Sequence, residues 1–467
     1  MKKCFPLTAM EEFFFWDDRP AYPCSCFVRL RFAGCLDRAA FDRAIQTLLT
    51  RHPMFTAKVE NDPRGRLRWS LVENPSPRIV WETASIGDSL PPATRLDLRR
   101  EIGIRFHVRT SGSESDLTIQ IHHACCDGAG VSLFIREFLV IYAMACGEVP
   151  RRTRLTPLDP EKLAGRGRFG LTFRKFLKMV PRQMVGLLGA RQFLMRKPVP
   201  IIPHQVCPND SPLPENYPTT MTYTLTVEET AALRKTAVRH RVTPNDLLAR
   251  DLFLAIGQWQ SRHDIPQNGE WIRMMVPVNL RTTDDRLLPA TDVVSSVFLD
   301  RRAADFADAD QLLHGIHEEM DLIKRNDLGF TFVFSLAVCR RLFGSLKKKV
   351  QVDQCSVSCV FSNLGTPFAH TPLPQDERQY VAGNVTMTGT DFVAPIHPYS
   401  CATFTIGLYA HKQTITLHYD PRPLSESQAA DLLGTYIRRI QTSIAVCRTT
   451  AAVQSECPES LCVDSDA

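Results

Sequence analysis

The sequence predicts an α+β protein built as two domains, each a mixed sheet with flanking helices. Three observations carry that reading. Strand-like and helix-like periodicities are interleaved in both halves, without the strict βαβα order of a doubly wound sheet. A basic, proline-flanked segment separates the halves. The chain has 467 residues, 44% hydrophobic and 23% charged, enough to bury two cores, which excludes disorder throughout. The expected division is an N-terminal domain over 1–160, a basic linker over 161–217, a C-terminal domain over 218–448 and a disordered tail over 449–467.

Residues 26–34 (CFVRLRFAG) set Val28, Leu30 and Phe32 opposite Arg29 and Arg31, the period of a strand with one buried face. Asp37 is the N-cap candidate of a helix with Phe41, Ile45, Leu48 and Leu49 on one side, ended by Pro53. Ile102, Ile104, Phe106 and Val108 alternate with polar residues, 111–115 (SGSES) turns the chain, and Leu117, Ile119 and Ile121 alternate again, as in a hairpin. The stretch 128–146 is apolar nearly all round and stops at Gly147, which predicts a buried helix with Asp127 at its N-terminus.

After the basic segment a strand is expected at 219–226. Thr243 and Pro244 then open a helix whose apolar face is Leu248, Leu252, Ile256 and Trp259. Strands follow at 271–277, 293–299, 355–362, 379–388, 401–409 and 413–419, and helices at 303–325 and 425–445, the last with a Ser425/Gln428 capping box. No short repeat is present, and from Thr449 the polar end is expected to fray.

The net charge of +6 is unevenly placed. Between 162 and 209 lie ten Lys or Arg and no Asp or Glu, so the remainder carries 46 basic against 50 acidic residues. Here Phe169, Leu171, Phe173, Phe176, Leu177 and Met179 interleave with Arg168, Arg174, Lys175 and Lys178. That is the pattern of a basic amphipathic helix lying on an anionic membrane, or attracting coenzyme A phosphates or an acidic carrier protein. The plain alternative is a solvated linker face. Nothing else in the chain supports nucleic-acid binding.

The longest uninterrupted apolar stretch, 138–146, is less than half of the roughly 20 residues a bilayer crossing needs. Glu11 and Glu12 interrupt any signal-peptide pattern at the start, so the expected location is cytoplasmic, with peripheral membrane contact through 162–209. The 15 cysteines, odd in number and scattered, are expected to be reduced.

Chemistry concentrates at 120–130, QIHHACCDGAG, a strand-to-helix transition. Period 2 places His123 on the face of Leu117, Ile119 and Ile121, and His122 with Thr118 and Gln120. An apolar face desolvates a histidine and keeps the ring neutral near pH 7, as a general base requires. Asp127 sits where the chain turns, and Gly128 admits a close approach or an unusual backbone angle. The alternative is a hydrogen-bonded core histidine. Zinc held by His122, His123, Cys125 and Cys126 is disfavoured, because neighbours alternate in direction and no C-x-x-C or H-x-x-x-H spacing is present. No metal site is expected.

HHACCDG matches the H-H-x-x-x-D-G signature of the superfamily that includes chloramphenicol acetyltransferase, the condensation domains of nonribosomal peptide synthetases, and stand-alone alcohol acyltransferases of the wax ester and polyketide-associated type. Other stretches resemble that group in the same order: PLTAMEEFFFWDDRPAYP at the start, RHPMF at 51–55, TPNDLLA at 243–249, VPVNLR at 276–281 and FSNLG at 361–365. The resemblance spans nearly the whole chain. It implies two chloramphenicol-acetyltransferase-like domains facing each other across an active-site tunnel, with donor and acceptor entering from opposite sides.

The implied activity is acyl transfer from a thioester, either acyl-CoA or an acyl carrier protein, to an alcohol. On that resemblance His123 is the general base with His122 in support, and Asp127 is structural and paired with a buried arginine, for which Arg281 is the candidate. For Arg281 the alternative is a surface residue at a strand end. Direct transfer needs no nucleophilic Ser or Cys, in keeping with the lack of a G-x-S-x-G elbow, and no cofactor beyond the thioester substrate. Ser358, Ser362 and Asn363 are candidate oxyanion donors, with turn-satisfying roles as the alternative.

Met54, Phe55 and Thr56 stand where peptide-forming members carry leucine-arginine, which favours the free-standing O-acyltransferases. Two further alternatives are an amide-forming condensation enzyme and a noncatalytic module that binds carrier proteins or acyl chains. Retention of both histidines, Asp127 and Gly128 argues against the module. His122 and Asp127 also fit the H-x-x-x-x-D pattern of glycerolipid acyltransferases, but the doubled histidine, the trailing glycine and the later segments lie outside that pattern.

Overall fold

The computed structural model describes residues 4–147, 154–169, 181–182, 186, 189, 191–203, 211–267 and 269–455, with side chains to 445. Three sheets form among the described residues. The smallest comprises β1 (Cys4–Pro6), β4 (Leu67–Leu71) and β3 (Ala57–Asn61). In the largest, β2 (Ser25–Ala33) pairs antiparallel with β7 (Glu114–His122), which forms the expected hairpin with β6 (Ile104–Ser111). Beside β6, β5 (Arg78–Thr83) runs parallel.

Val28, Leu30 and Phe32 of β2 point into the first core, which α2 (Arg38–Arg51) and α3 (Gly128–Ala145) cover. Asp37 caps α2, its carboxylate accepting Ala40 N–H at 2.7 Å. The other face of β2 is only partly open to solvent, Arg31 keeping 32% of its side chain exposed. Arg29 is buried there, its guanidinium held by Asp116 and by the carbonyls of Gly87 and Asp88. A coil outside the strands covers this face at Arg29, and a charge taken out of water persists only when paired.

The remaining strands of this sheet come from late in the chain. β14 (Val385–Val393) pairs antiparallel with the free edge of β2, and β13 (Gln379–Ala382) and β12 (Gln375–Asp376) extend it. The hydrogen-bonded sheets thus do not follow a boundary at 217, since 375–393 complete the N-terminal sheet.

The third sheet has the order β10 (Val294–Arg301), β9 (Ile272–Asn279), β11 (Cys359–Asn363), β15 (Ala402–Tyr409), β16 (Lys412–Tyr419), β8 (Thr220–Thr224). Within it β11 is parallel to both neighbours. Four helices cover one face and share the second core: α4 (Val227–Arg239), α5 (Pro244–Arg262), α6 (Ala309–Arg325) and α8 (Glu426–Ser455). Leu248, Leu252, Ile256 and Trp259 of α5 lie in that core as their spacing predicts.

Several expectations change. The helix expected at 303–325 is a 3-10 turn followed by α6, capped by Asp308. The strand expected at 379–388 is two strands, with Gly383 at φ +59° between them. β11 starts at Cys359, not 355. α8, opened by the Ser425/Gln428 capping box, stays helical to Ser455, past the expected fraying point. α3 is 18 residues long and apolar enough to cross a bilayer, a feature the uninterrupted-run count missed, and most of it is buried.

Two helices lack an amphipathic pattern. α1 (Ala9–Asp17) buries residues all round, so its pattern has no polar face. α7 (Gly329–Phe343) spaces Phe330, Phe332 and Phe334 at the period of a strand.

The described part of the basic segment is not simply a solvated linker. Arg166 is buried, donating to Glu11 through Nε at 2.6 Å and Nη2 at 2.7 Å. Glu11 also accepts from Trp69 Nε1 at 2.9 Å and from Thr8 N–H at 2.8 Å. Phe169 is buried against Phe330 and is not a lipid-facing residue. Leu171, Phe173, Arg174, Lys175, Phe176, Leu177, Lys178 and Met179 lie outside the described residues.

Removing one partner of a buried pair strands the other. Arg166→Ala is expected to lose about 3–5 kcal/mol of unfolding free energy in urea denaturation. Arg166→Met combined with Glu11→Gln should recover most of it, because no charge is then left unpaired.

Candidate active site

β7 ends at His122, and a 3-10 turn, His123–Cys125, leads to Asp127 and α3. His123 is therefore not a strand residue, and the period-2 argument does not set its direction. What orients it is the turn. His123 N–H donates to Cys24 O at 2.8 Å, and the ring stacks on Phe14 of α1 with centroids 3.9 Å apart. The side chain keeps 15% exposure, whereas His122 is fully buried.

Burial pushes the His123 pKa down to about 4, so the ring is neutral at physiological pH. Its Nδ1 is buried without a protein hydrogen bond and lies 3.9 Å from Asp292 Oδ2, which is likewise unpaired. The other Asp292 oxygen accepts Val294 N–H at 3.1 Å. Burial, together with the nearby Asp127 and Glu11 carboxylates, pushes the Asp292 carboxyl well above the usual carboxylate range.

His122 serves a different end. Its Nδ1 accepts Ala124 N–H at 3.2 Å, which leaves the ring proton on Nε2, facing Asp18 Oδ2 at 3.5 Å. Asp18 also accepts from Cys24 N–H at 3.0 Å and from Arg95 Nε at 2.8 Å. Burial raises the Asp18 pKa, but His122 and Arg95 outweigh it and hold the carboxyl below its ordinary value. Asp18, which faces His122, thus anchors the chain leaving α1 and holds Cys24, whose carbonyl accepts His123 N–H.

Asp127 joins the two parts of the molecule. Oδ1 caps α3 by accepting Gly130 N–H at 2.8 Å, while Oδ2 accepts from Arg281 Nη1 at 2.7 Å and Val293 N–H at 2.6 Å. Arg281 Nη2 also donates to Thr291 O at 2.7 Å. Nearby, the RHPMF segment makes a second tie: Glu137 of α3 holds Arg51 and His52, and His52 Nδ1 accepts Ala290 N–H at 3.0 Å.

Gly128 has ordinary backbone geometry, and close approach is its reason. A Cβ there would lie 2.3 Å from Leu364 Cδ2, so the FSNLG loop packs directly on the start of α3. Of the three oxyanion candidates, Ser358 does not fit. Its only hydroxyl proton goes to Val199 O at 2.5 Å, and its oxygen accepts Arg273 N–H. Asn363 uses its side-chain oxygen on Gly365 N–H at 2.9 Å, leaving its amide N–H groups, and Ser362 is half-buried at the end of β11. The Cys125 and Cys126 thiols are pushed far up by burial, which removes them as nucleophiles.

The residues that local patterning did not reveal are Phe14, Asp18 and Asp292. Asp292 follows from tertiary structure alone: it enters because Thr291 and Val293, on either side, bind Arg281 and Asp127. The Thr8/Glu11 capping box was the available signal for α1, and Asp17 at its end pairs with His397 at 2.6 Å beside the same site.

No protein-family model matches the chain, and no curated protein sequence matches it. Solved structures do. The first condensation domain of the CDA synthetase superposes with a TM-score of 0.67 at 14% identity, covering 95% of this chain and 96% of that one. Polyketide synthase associated protein 5 from Mycobacterium tuberculosis gives 0.61 at 15% identity, with 95% and 98% covered. The starter condensation domain of rhizomide synthetase RzmA, in complex with C8-CoA and Leu-SNAC, gives 0.66 at 12% identity, with 95% and 94% covered. The chain therefore has the condensation-domain fold, α+β with mixed sheets and flanking helices, that its sequence resemblance implies.

The lowered pKa of His123 has a measurable sign. In an imidazole 15N titration this ring is expected to protonate near pH 4, not near the unfolded value of about 6.5. Because the folded pKa lies below the unfolded one, the associated stability is complete above about pH 6.5 and is lost as pH falls through 4. A midpoint at or above 6.5 would contradict the desolvated environment.

Proposed function

We propose that this protein is an acyltransferase that moves an acyl group from a thioester, acyl-CoA or acyl carrier protein, to an alcohol, with His123 as general base. One observation carries the reading: His123 is neutral and partly exposed, with Nδ1 turned inward to Asp292, which leaves Nε2 for substrate. Nε2 takes the proton from the acceptor hydroxyl as its oxygen attacks the thioester carbonyl. The tetrahedral intermediate collapses by breaking the C–S bond, and the imidazolium returns the proton to the departing thiolate. No covalent enzyme intermediate and no cofactor enter this scheme.

A desolvated ring takes a proton reluctantly, and Asp292 offsets this by receiving Nδ1–H as charge develops. The Asn363 amide and the Ser362 hydroxyl, beside the start of α3, are the proposed oxyanion donors. Thioester donors are supported by the C8-CoA bound to the structurally similar starter domain. Within the basic segment, the exposed Arg168, Arg191 and Lys197 are proposed to meet donor phosphates, an acidic carrier protein or an anionic membrane, whereas Arg166, Arg182 and Arg196 form ion pairs with the protein itself. The proposed setting is the cytoplasm.

The test is incubation with octanoyl-CoA and a panel of alcohols and amines, read by mass spectrometry. Ester formation is expected, and His123→Ala should lower kcat by about 10²–10⁴-fold without loss of fold. Amide formation alone would favour the condensation alternative, and thioester binding without turnover the noncatalytic one. Asp292→Asn should lower kcat roughly 10–100-fold and leave KM within about twofold, as expected for a group that acts on the transition state through the ring.

A further inference from the structure

A second basic region lies far from the linker in sequence. From 328 to 352 there are five Lys or Arg and no Asp or Glu. Arg340 turns inward, donating to Leu7 O at 2.8 Å and lying 3.8 Å from Glu12. Arg341, Lys347, Lys348 and Lys349 are exposed. Among them stand three large apolar side chains at the end of α7: Val338 at 57% exposure, Leu342 at 72% and Phe343 at 59%. Val338 and Leu342 are one helical turn apart, and Lys349 Nζ lies 4.7 Å from the Phe343 ring.

This tip is anchored to the body of the protein. Gly344, at φ +74°, reverses the chain after Phe343, and Leu346 returns to full burial. The buried Glu12 of α1 clamps the turn, accepting Leu346 N–H at 2.9 Å and the Ser345 hydroxyl at 3.2 Å. Lys347 lies over Trp16 of the same helix, 5.1 Å from the ring centre. The apolar residues at the end of α7 are thus presented outward beside a turn clamped to α1, the helix whose Phe14 stacks on His123.

Exposed apolar side chains ringed by cations match a lipid surface, which supplies acyl chains and anionic headgroups together without demanding shape complementarity. We propose that the α7 tip, Val338, Leu342 and Phe343 with Arg341 and Lys347 to Lys349, docks this protein on an anionic membrane. The proposal is independent of the acyl-transfer reading and rests on residues outside 162–209.

Vesicle sedimentation with the full chain tests it, using phosphatidylcholine alone and with about 30% phosphatidylserine. Wild type should bind the anionic vesicles at least about tenfold more tightly, and less so as salt rises. Replacing Lys347, Lys348 and Lys349 together by Ala should weaken that binding on the order of 100-fold. The Leu342→Ser/Phe343→Ser double variant should weaken it by at least about tenfold, with an unchanged melting curve because both positions are exposed. Phe343→Trp, compared with wild type, should add fluorescence quenched by brominated lipid. Absence of vesicle binding, binding unchanged in both multiple variants, or self-association or carrier-protein capture through this tip in place of vesicle binding would each overturn the proposal.

Discussion

A buried carboxylate with too few partners is costly, and Asp127 escapes that cost only by drawing on both parts of the chain. One oxygen caps α3, and the other takes a guanidinium and a backbone N–H from 281–293. Satisfying this single side chain therefore fixes where the segment bearing Asp292 lies against the turn bearing His123. Gly128 and Gly130 serve the same junction from the other side. A side chain at Gly128 would strike Leu364, and one at Gly130 would strike Cys126 and the Thr291 carbonyl.

Around that junction the acids are not equivalent. Asp127 has a guanidinium and two backbone N–H groups and Asp18 a guanidinium and one, whereas Asp292 has one backbone N–H, no guanidinium bond and an unpaired oxygen. Desolvation therefore acts on Asp292 with little to oppose it, as it does on the neutral His123 ring it faces. Two groups whose charged forms are both disfavoured sit 3.9 Å apart. A proton arriving on His123 changes the balance for both at once, since an imidazolium favours the carboxylate and the carboxylate favours the imidazolium.

Much of this was legible in the sequence where the signal is local. Asp37, Asp127, Thr243 and Ser425 mark helix starts because a cap is a contact across three residues. The alternation in 104–121 reads as a hairpin because both strands bury one face in the same core. The Asp127–Arg281 contact was accessible only through resemblance, since 154 residues separate the partners. Where the outer face of a strand is covered, or a helix lacks an amphipathic pattern, local reading fell short. Arg29 marked a polar side that is covered at its own position, and the phenylalanines of α7 carry the spacing of a strand on a helix. His123 was assigned its environment correctly but by the wrong route, because the strand ends one residue before it. Asp292 had no local signal, since what places it is the satisfaction of Asp127 by its neighbours.

The insertion of β14 beside β2 bears on how the chain is made. When the N-terminal half leaves the ribosome, β2 can pair with β7 on one side, but its other edge must wait for residues 385–393. Until residues 385–393 have been synthesised, that edge presents a row of unpaired backbone groups, a template for wrong partners. Truncation ahead of residue 375 removes more than a C-terminal unit. It leaves the layer carrying His122 open at its edge, so the sheet that supports the site is completed only by strands made long after it.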